Sequence, residues 1–389
     1  MIIRLFYHSL ISDWNHGNAH FLRGVVKELA RRGHAVKVYE PRNGWSVQNL
    51  VCEHGEEPLE RFAEAYPGLK SVRYHLDELD LERAVRGADL VIVHEWSDPA
   101  LVRSIGELRK RRKFVLLFHD THHRLVTQPD AMRAYELGNY DGVLAYGRVL
   151  AELYVREKLA PRVWTWHEAA DTDVFKPLPE VQKEGDLVWV GNWGDDERTE
   201  ELQEFLIDPV RALGIKAAVY GVRYPADARE RLAAAGIEYR GWLPNFEVPE
   251  VFASFRMTLH VPRRPYVQAL PGIPTIRPFE ALACGIPLAC SPWKDSEHLF
   301  TPGSDYLVAR DGRQMQKHIS ALLRDGVRRR RLASHGLRTI LARHTCAHRV
   351  DEMLAIHALI KAELASAKKL RAPVSLEPGL QLGRVALSA

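Results

Sequence analysis

Short apolar runs alternate along most of the chain with longer segments whose apolar residues recur at three- and four-residue spacing. Ile2–Tyr7 reads as a buried strand. After a polar loop, Phe21, Leu22, Val25, Val26, Leu29 and Ala30 fall on one face of a helix. Gly33-His34 ends that helix and Ala35–Glu40 resumes a strand. Leu90–His94, Phe114–His119, Val143–Tyr146 and Val163–Trp166 are further strands. Parallel neighbours need a crossover helix, so the repeated strand-helix-strand rhythm predicts a parallel sheet. The pattern breaks at Phe175-Lys176-Pro177-Leu178-Pro179, and Gln182–Asp186 makes a polar joint. A second series then runs through Leu187–Val190, Lys216–Tyr220, Glu238–Arg240, Met257–Val261, Leu288–Cys290 and Tyr306–Ala309. The expectation is an α/β chain with two Rossmann-like parallel-sheet domains, residues 1–179 and 180–348, facing each other across an interdomain cleft. A helix over 349–370, with Val350, Met353, Leu354, Ile356, His357 and Ile360 on one side, is expected to pack on a domain surface. Residues 371–389, rich in Pro, Gly, Ser and small apolar types, read as a loose tail.

Length agrees with this division, since 389 residues exceed one ordinary core. Hydrophobic residues at 46% and charged residues at 27% match a soluble globular chain. A net charge of +4, from 54 basic and 50 acidic residues, argues against nucleic acid as a partner. No basic segment followed by an apolar stretch opens the chain, so no secretory signal is expected. No apolar run approaches the length of a membrane span. Cys52, Cys284, Cys290 and Cys346 lack CxxC spacing and read as free thiols in a reducing cytoplasm. The basic run Arg328–Arg331 reads as a solvated helix face, or as peripheral docking to an anionic membrane carrying a lipid-linked acceptor.

Candidate chemistry sits where strands end. In open α/β sheets ligands bind at the carboxyl ends of strands, and the loop His8–His20 occupies such a place. Its Gly17 permits close backbone approach, and Asp13 and His16 supply polar groups; the plainer reading is a β–α turn with Asn18 as helix cap. The loop lacks GxGxxG, which weakens a dinucleotide reading. His94-Glu95-Trp96 and His119–Arg124 also follow strands and suit recognition of sugar hydroxyls. His119, His122 and His123 as metal ligands is the less favoured reading, and no metal is expected. In the second half, Gly191-Asn192-Trp193-Gly194 with nearby Arg198 offers the backbone N–H groups and counter-charge that a diphosphate requires. Asp195, Asp196 and Glu197 would repel phosphate if they pointed inward. Arg263 and Arg264 form a second candidate clamp, or a solvated corner. Thr275, Ile276 and Arg277 open a helix whose N–H groups suit phosphate. Glu280, one turn on, suits ribose hydroxyls or merely helps cap that helix.

The string Phe279-Glu280-Ala281-Leu282-Ala283-Cys284-Gly285-Ile286-Pro287 resembles the signature of the group 1 (family 4) glycosyltransferases of GT-B fold. Gly17–Leu29 with Arg32-Gly33-His34, Asp171–Pro177 and Tyr239–Pro244 are similar to further motifs of that family, in the same order. Trp293-Lys294-Asp295 and His344–Arg349 most resemble its CgeB-type (spore-maturation glycosyltransferase-like) branch. The resemblance covers roughly residues 1–365. It implies a hexosyltransferase-type enzyme moving a sugar from a nucleoside-diphosphate-sugar donor to an unidentified acceptor: a glycan, lipid-linked sugar, small molecule or protein. Transfer would retain configuration and need no metal or other cofactor. Carried over by position, His119 faces the donor sugar, Gly17 lies beneath the diphosphate, Glu280 contacts ribose and Arg198 binds phosphate. With Arg198, His119 is the catalytic candidate; Asp13 or His16 would be the base of an inverting alternative. Gly191, Asn192, Arg263, Arg264, Thr275, Ile276 and Arg277 complete the donor site. A nucleotide-sugar epimerase or a non-catalytic nucleotide-sugar-binding protein of the same fold are the alternatives. Two departures stand out: the family's Arg-then-Lys spacing is not reproduced at Arg198, and Gly272 occupies the place of its first glutamate, which contacts the donor sugar.

Overall fold

The computed structural model describes residues 1–371. Seven strands make the first sheet: β1 (Ile2–Phe6), β2 (Ala35–Pro41), β3 (Ser71–Tyr74), β4 (Leu90–His94), β5 (Val115–Asp120), β6 (Gly142–Ala145) and β7 (Val163–Thr165). Six make the second: β8 (Gly185–Val190), β9 (Ala217–Tyr220), β10 (Ile237–Tyr239), β11 (Phe255–His260), β12 (Leu288–Cys290) and β13 (Leu307–Val308). Their spatial orders are β3-β2-β1-β4-β5-β6-β7 and β10-β9-β8-β11-β12-β13, with every pairing parallel. The α/β class with two Rossmann-like parallel sheets is therefore what the apolar rhythm predicts.

The central strands show why that rhythm was readable. Leu-Val-Ile-Val-His in β4 and Val-Leu-Leu-Phe-His-Asp in β5 are buried along their whole length, because helices cover both faces of a parallel sheet. β3 escaped the sequence reading. It is a four-residue edge strand, Ser-Val-Arg-Tyr, whose Val72 is 43% exposed, so it carries no apolar run.

The helix Cys346–Arg371 leaves the second domain and returns to the first. Its Val350, Met353, Ile356 and Ile360 are buried in one apolar cluster with Leu22, Val25, Val26 and Leu29 of the helix Ala19–Arg31. Leu354 and His357 flank that stripe and are only half-buried. Ala170 and Thr345 bridge where the two crossing segments run side by side. The expected tail from residue 372 onward lies outside the described residues. No helix among the described residues is long and apolar enough to cross a membrane. Arg328, Arg330 and Arg331 are exposed on the helix Gly326–Arg343, whereas Arg329 donates to the Leu322 and Leu323 carbonyls of the preceding helix.

Each sheet reverses its winding once, between β1 and β4 in the first and between β8 and β11 in the second. At such a switch point the loops leaving the carboxyl ends diverge and open a crevice. Here the two crevices face each other.

Candidate active site

A cavity of 620 Å³ lies between the domains. Its first-domain wall comes from the loop after β1 (Asp13, Asn15, His16, Gly17, Asn18), the residues after β5 (Thr121, His122, His123), Tyr146 after β6 and Glu168 after β7. Its second-domain wall comes from the loops after β8, β9, β10 and β11 and from the start of the helix Ile276–Ala283.

The second-domain wall is cationic. The loop after β8 turns sharply through Gly194, Asp195 and Asp196, all at positive φ, and folds around Arg198. The Arg198 guanidinium donates to the carbonyls of Asn192 (2.6 Å), Trp193 (3.4 Å) and Val261 (2.9 Å), and lies over the Trp189 ring. A guanidinium has five N–H groups, so two remain. Burial and the neighbouring Arg263 charge push Arg198 down to about 9, which leaves it charged at neutral pH. Among the described residues it has no carboxylate partner within 4.0 Å, unlike the other arginines of the wall. Arg223 pairs with Asp195 at 2.9 Å, Arg263 with Glu197 at 3.1 Å, and Arg277 with Glu280. Asp195 and Glu197 thus do line the cavity, but each meets an arginine. Burial raises Glu197, yet bonding to His123 and Arg263 outweighs it and holds the carboxyl below its ordinary value. The helix Ile276–Ala283 starts from Thr275, whose φ of 58° is unfavourable for a β-branched residue, and no side chain caps its first N–H groups. An uncapped helix start and the arginines of this wall are features that favour an anion.

Among the described residues the first-domain wall carries no lysine or arginine. It is instead rich in buried polar atoms that have no hydrogen-bond partner. Among the described residues six such side chains line the cavity: His16, His122, Tyr146 and Glu168 from the first domain, Asn245 and His260 from the second. Native interiors leave few polar groups unpaired, so this concentration points to a polar ligand that completes them. Burial, then the charges of His8 and Arg23, pushes His16 well below its ordinary value; burial and the charges of His123, Arg263 and Arg124 do the same to His122. Burial with Arg198 and Arg277 nearby takes His260 down to about 3. Burial and the Glu280 charge raise Glu168 well above the carboxylate range.

Of the residues singled out from sequence, Gly17, Asp13, His16, Gly191, Asn192, Arg198, Arg263, Thr275, Ile276 and Arg277 all line this one cavity. Three do not. His119 lies in β5 with its side chain on the inner face, where its Nδ1 meets the Tyr7 hydroxyl at 2.6 Å and its ring packs on Trp166. It is wholly buried and pushed down to about 3 by that burial, so it faces the core rather than a donor sugar. His122 and His123, with rings 4.0 Å apart, line the cavity instead, and the three histidines do not converge on one point. Arg264 points away and binds Glu201 at 2.8 Å. Glu280 lies behind the wall, fully buried, accepting from His20 Nδ1 at 2.8 Å and from Arg277. His20 Nε2 accepts from the Asp171 backbone N–H, which fixes the proton on Nδ1. Glu280 therefore joins both domains and the linker, and reaches the cavity only through Arg277.

Three more expectations change character. Asp13 is no free base: its carboxylate already accepts from Arg23 (2.8 Å), Trp242 (3.2 Å) and the Asn245 N–H (3.1 Å), tying the domains together. Asn18 makes no cap and instead donates to the Thr121 hydroxyl at 2.6 Å. Gly17 is tight against the opposite domain, since a Cβ there would meet Ile276 Cγ2 at 3.0 Å. Tyr146, Glu168, Arg223 and His260 were missed. Each follows or ends a strand, so the carboxyl-end rule applied to every strand would have found them.

Residues 198–355 match a family model described as Glycosyl transferase-like, and residues 17–174 match one described as Glycosyltransferase Family 4. No curated protein matches the sequence. Among solved structures, sucrose-phosphate synthase from Thermosynechococcus elongatus superposes with a TM-score of 0.65 at 15% identity, covering 93% of this chain and 100% of that one. A glycosyltransferase from Rickettsia africae ESF-5 gives 0.62 at 11% identity, covering 92% and 98%. A DNA-modifying β-glucosyltransferase, solved with and without uridine diphosphoglucose, gives 0.61 at 15% identity, covering 93% and 100%. Two glycosyltransferase family models thus match successive halves of the chain, and the solved structures share its two facing Rossmann-like domains, the GT-B fold.

Proposed function

We propose that the cavity binds a nucleoside-diphosphate sugar and that the protein transfers the sugar to an acceptor hydroxyl, without a metal and with retention of configuration. The observation that carries this reading is the division of the cavity walls. Among the described residues all the arginines of the cavity, Arg198, Arg223, Arg263 and Arg277, come from the second domain, which also supplies the uncapped helix start. The facing wall offers neutral hydrogen-bonding groups. A diphosphate fits the first and a sugar ring fits the second. Val222, Trp242 and Leu243 at the ends of β9 and β10 extend the second-domain wall with apolar surface suited to a base.

The barrier to transfer is departure of the nucleoside diphosphate from the anomeric carbon. Charge grows on the leaving oxygens, and Arg198, whose guanidinium is fixed by three backbone carbonyls, with the helix N–H groups would meet it there with little reorganisation. They take the place a divalent cation would otherwise fill. Both oxygens of Asp13 are occupied by hydrogen bonds, which leaves His16, unpartnered on the cavity wall among the described residues, as the base that an inverting reaction would use. Contacts across the cleft, His20 to Glu280 and Arg148 to Glu297 among them, hold the domains closed and exclude water from the donor.

A thermal-shift screen of nucleoside diphosphates and their sugars tests the proposal. A ligand at a hundredfold excess over Kd adds about 2.7 kcal/mol to stability, enough to rank donors. We expect a rise with one nucleoside diphosphate and a larger one with a cognate sugar nucleotide. No response across the panel would remove the transferase reading. The anomer of the product, read by NMR, then decides retention.

A further inference from the structure

Glu168 is the most unusual polar group in the cavity. It follows β7 by a few residues, its side chain is 2% exposed, and it lines the space between the domains. Among the described residues both carboxyl oxygens lack a hydrogen-bond partner. A carboxyl buried this way is costly, because burial without bonds removes hydration and returns nothing. Natural structures keep such a group where a ligand supplies the missing bonds. Beside it, at the end of the adjacent strand β6, the Tyr146 hydroxyl is also buried, unpartnered and on the cavity wall. Tyr266 from the opposite domain closes over this corner, its ring edge-on to Tyr146 at 6.2 Å.

The corner is distinct in charge from the diphosphate end. It belongs to the wall without arginine or lysine, so it offers nothing to an anion. Two oxygens and a phenol, in a half-aromatic pocket, match the hydroxyls and C–H faces of a pyranose. The segment that might have brought a carboxylate from the second domain carries none: Gly272 sits at φ +96°, and a Cβ there would lie 2.5 Å from Ser296 Oγ.

Resting on the donor reading above, we propose that Glu168, with Tyr146, is the sugar-recognition pair of this protein, hydrogen-bonding the ring hydroxyls of the transferred sugar. Burial and the Glu280 charge raise this carboxyl well above its ordinary value, which favours the protonated form that can both donate and accept towards hydroxyls.

The test is calorimetric binding of UDP and UDP-glucose, then of other nucleoside diphosphates and their glucose conjugates, to wild type, Glu168→Gln and Glu168→Ala. We expect Glu168→Ala to weaken the sugar nucleotide about tenfold to a hundredfold and leave the diphosphate within about twofold. Glu168→Gln, neutral and still bonding, should recover most of that loss, in binding and in kcat. Free Glu168→Ala should melt no lower than wild type, because the group it removes makes no bond. The proposal falls if Glu168→Ala weakens diphosphate and sugar nucleotide equally, or weakens neither. It also falls if Glu168→Gln is as inactive as Glu168→Ala, which would assign an ionised role. In those cases wild-type diphosphate binding persists and the donor reading stands. If wild type binds none of the diphosphates or their conjugates, both fall together.

Discussion

Single residues show what kind of information a motif carries. Glu280 and Gly17 both belong to strings that resemble glycosyltransferase motifs, one behind the cavity wall and one on it, yet their local tasks differ from the ones position suggested. Gly17 keeps two domains close, and Glu280 holds Arg277 and His20. Spacing reveals which residues share a helix face. It does not reveal which partner a carboxylate finds across a cleft, because that depends on side chains more than 200 positions away. Gly272 is the sharpest case. Its backbone at φ +96° belongs to a region where a side chain strains the chain, and the space a Cβ would need is held by Ser296. We expect Gly272→Ala to lose about 1–3 kcal/mol in urea titration of the second domain. Equal stability would show that the loop relaxes freely and that glycine is not required there.

Elements were the most legible scale. Every strand with an apolar run was readable, because full burial in a parallel sheet imposes one; the polar edge strand β3 was not. Candidate site residues were readable to the extent that they follow such strands, and Glu168 was overlooked because Asp171–Pro177 beyond it held the stronger motif. The last helix illustrates how an element can belong to a domain far from it in sequence. Cys346–Arg371 follows the second sheet, but its apolar stripe completes the core of the first. Truncating either Met353 or Ile360, both fully buried, removes several methylenes from that core and leaves a cavity. Met353→Ala and Ile360→Ala should each cost about 2–5 kcal/mol. Unfolding followed by the first domain's tryptophans should shift to lower denaturant, and the transition of the second domain should move little. Equal shifts in both would mean that the domains unfold as one unit.

At the scale of the whole molecule, the buried histidines dominate the response to acid. His8, His16, His94, His119, His122, His260 and His344 are all pushed below their ordinary value chiefly by burial, His8 to about 4 and His119, His260 and His344 to about 3. Each is neutral in the folded chain and takes up a proton on unfolding once pH drops under about 6.5. Stability from these groups is therefore complete above about 6.5 and declines as pH falls towards their folded values. Three buried carboxyls act in the opposite sense. Glu95 and Glu168 are raised by burial and by the neighbouring charges of Asp120 and Glu280 respectively; Asp120 is raised by burial to about 6. They hold protons in the folded state that the unfolded chain gives up, so between about 4 and 6 they stabilise as pH falls. The histidines outnumber the carboxyls, so unfolding takes up protons as pH falls below about 6.5, and each proton taken up costs about 1.4 kcal/mol of stability per pH unit. A stability margin of about 5–15 kcal/mol is small against several such groups acting together. Urea midpoints measured from pH 8 to pH 4 should be flat down to about 6.5 and then fall steeply. A plateau persisting to pH 4.5 would mean that these histidines are solvated or charged in the folded protein. The sugar-facing wall, built partly from His16 and His122, would then not be the neutral surface that donor recognition requires.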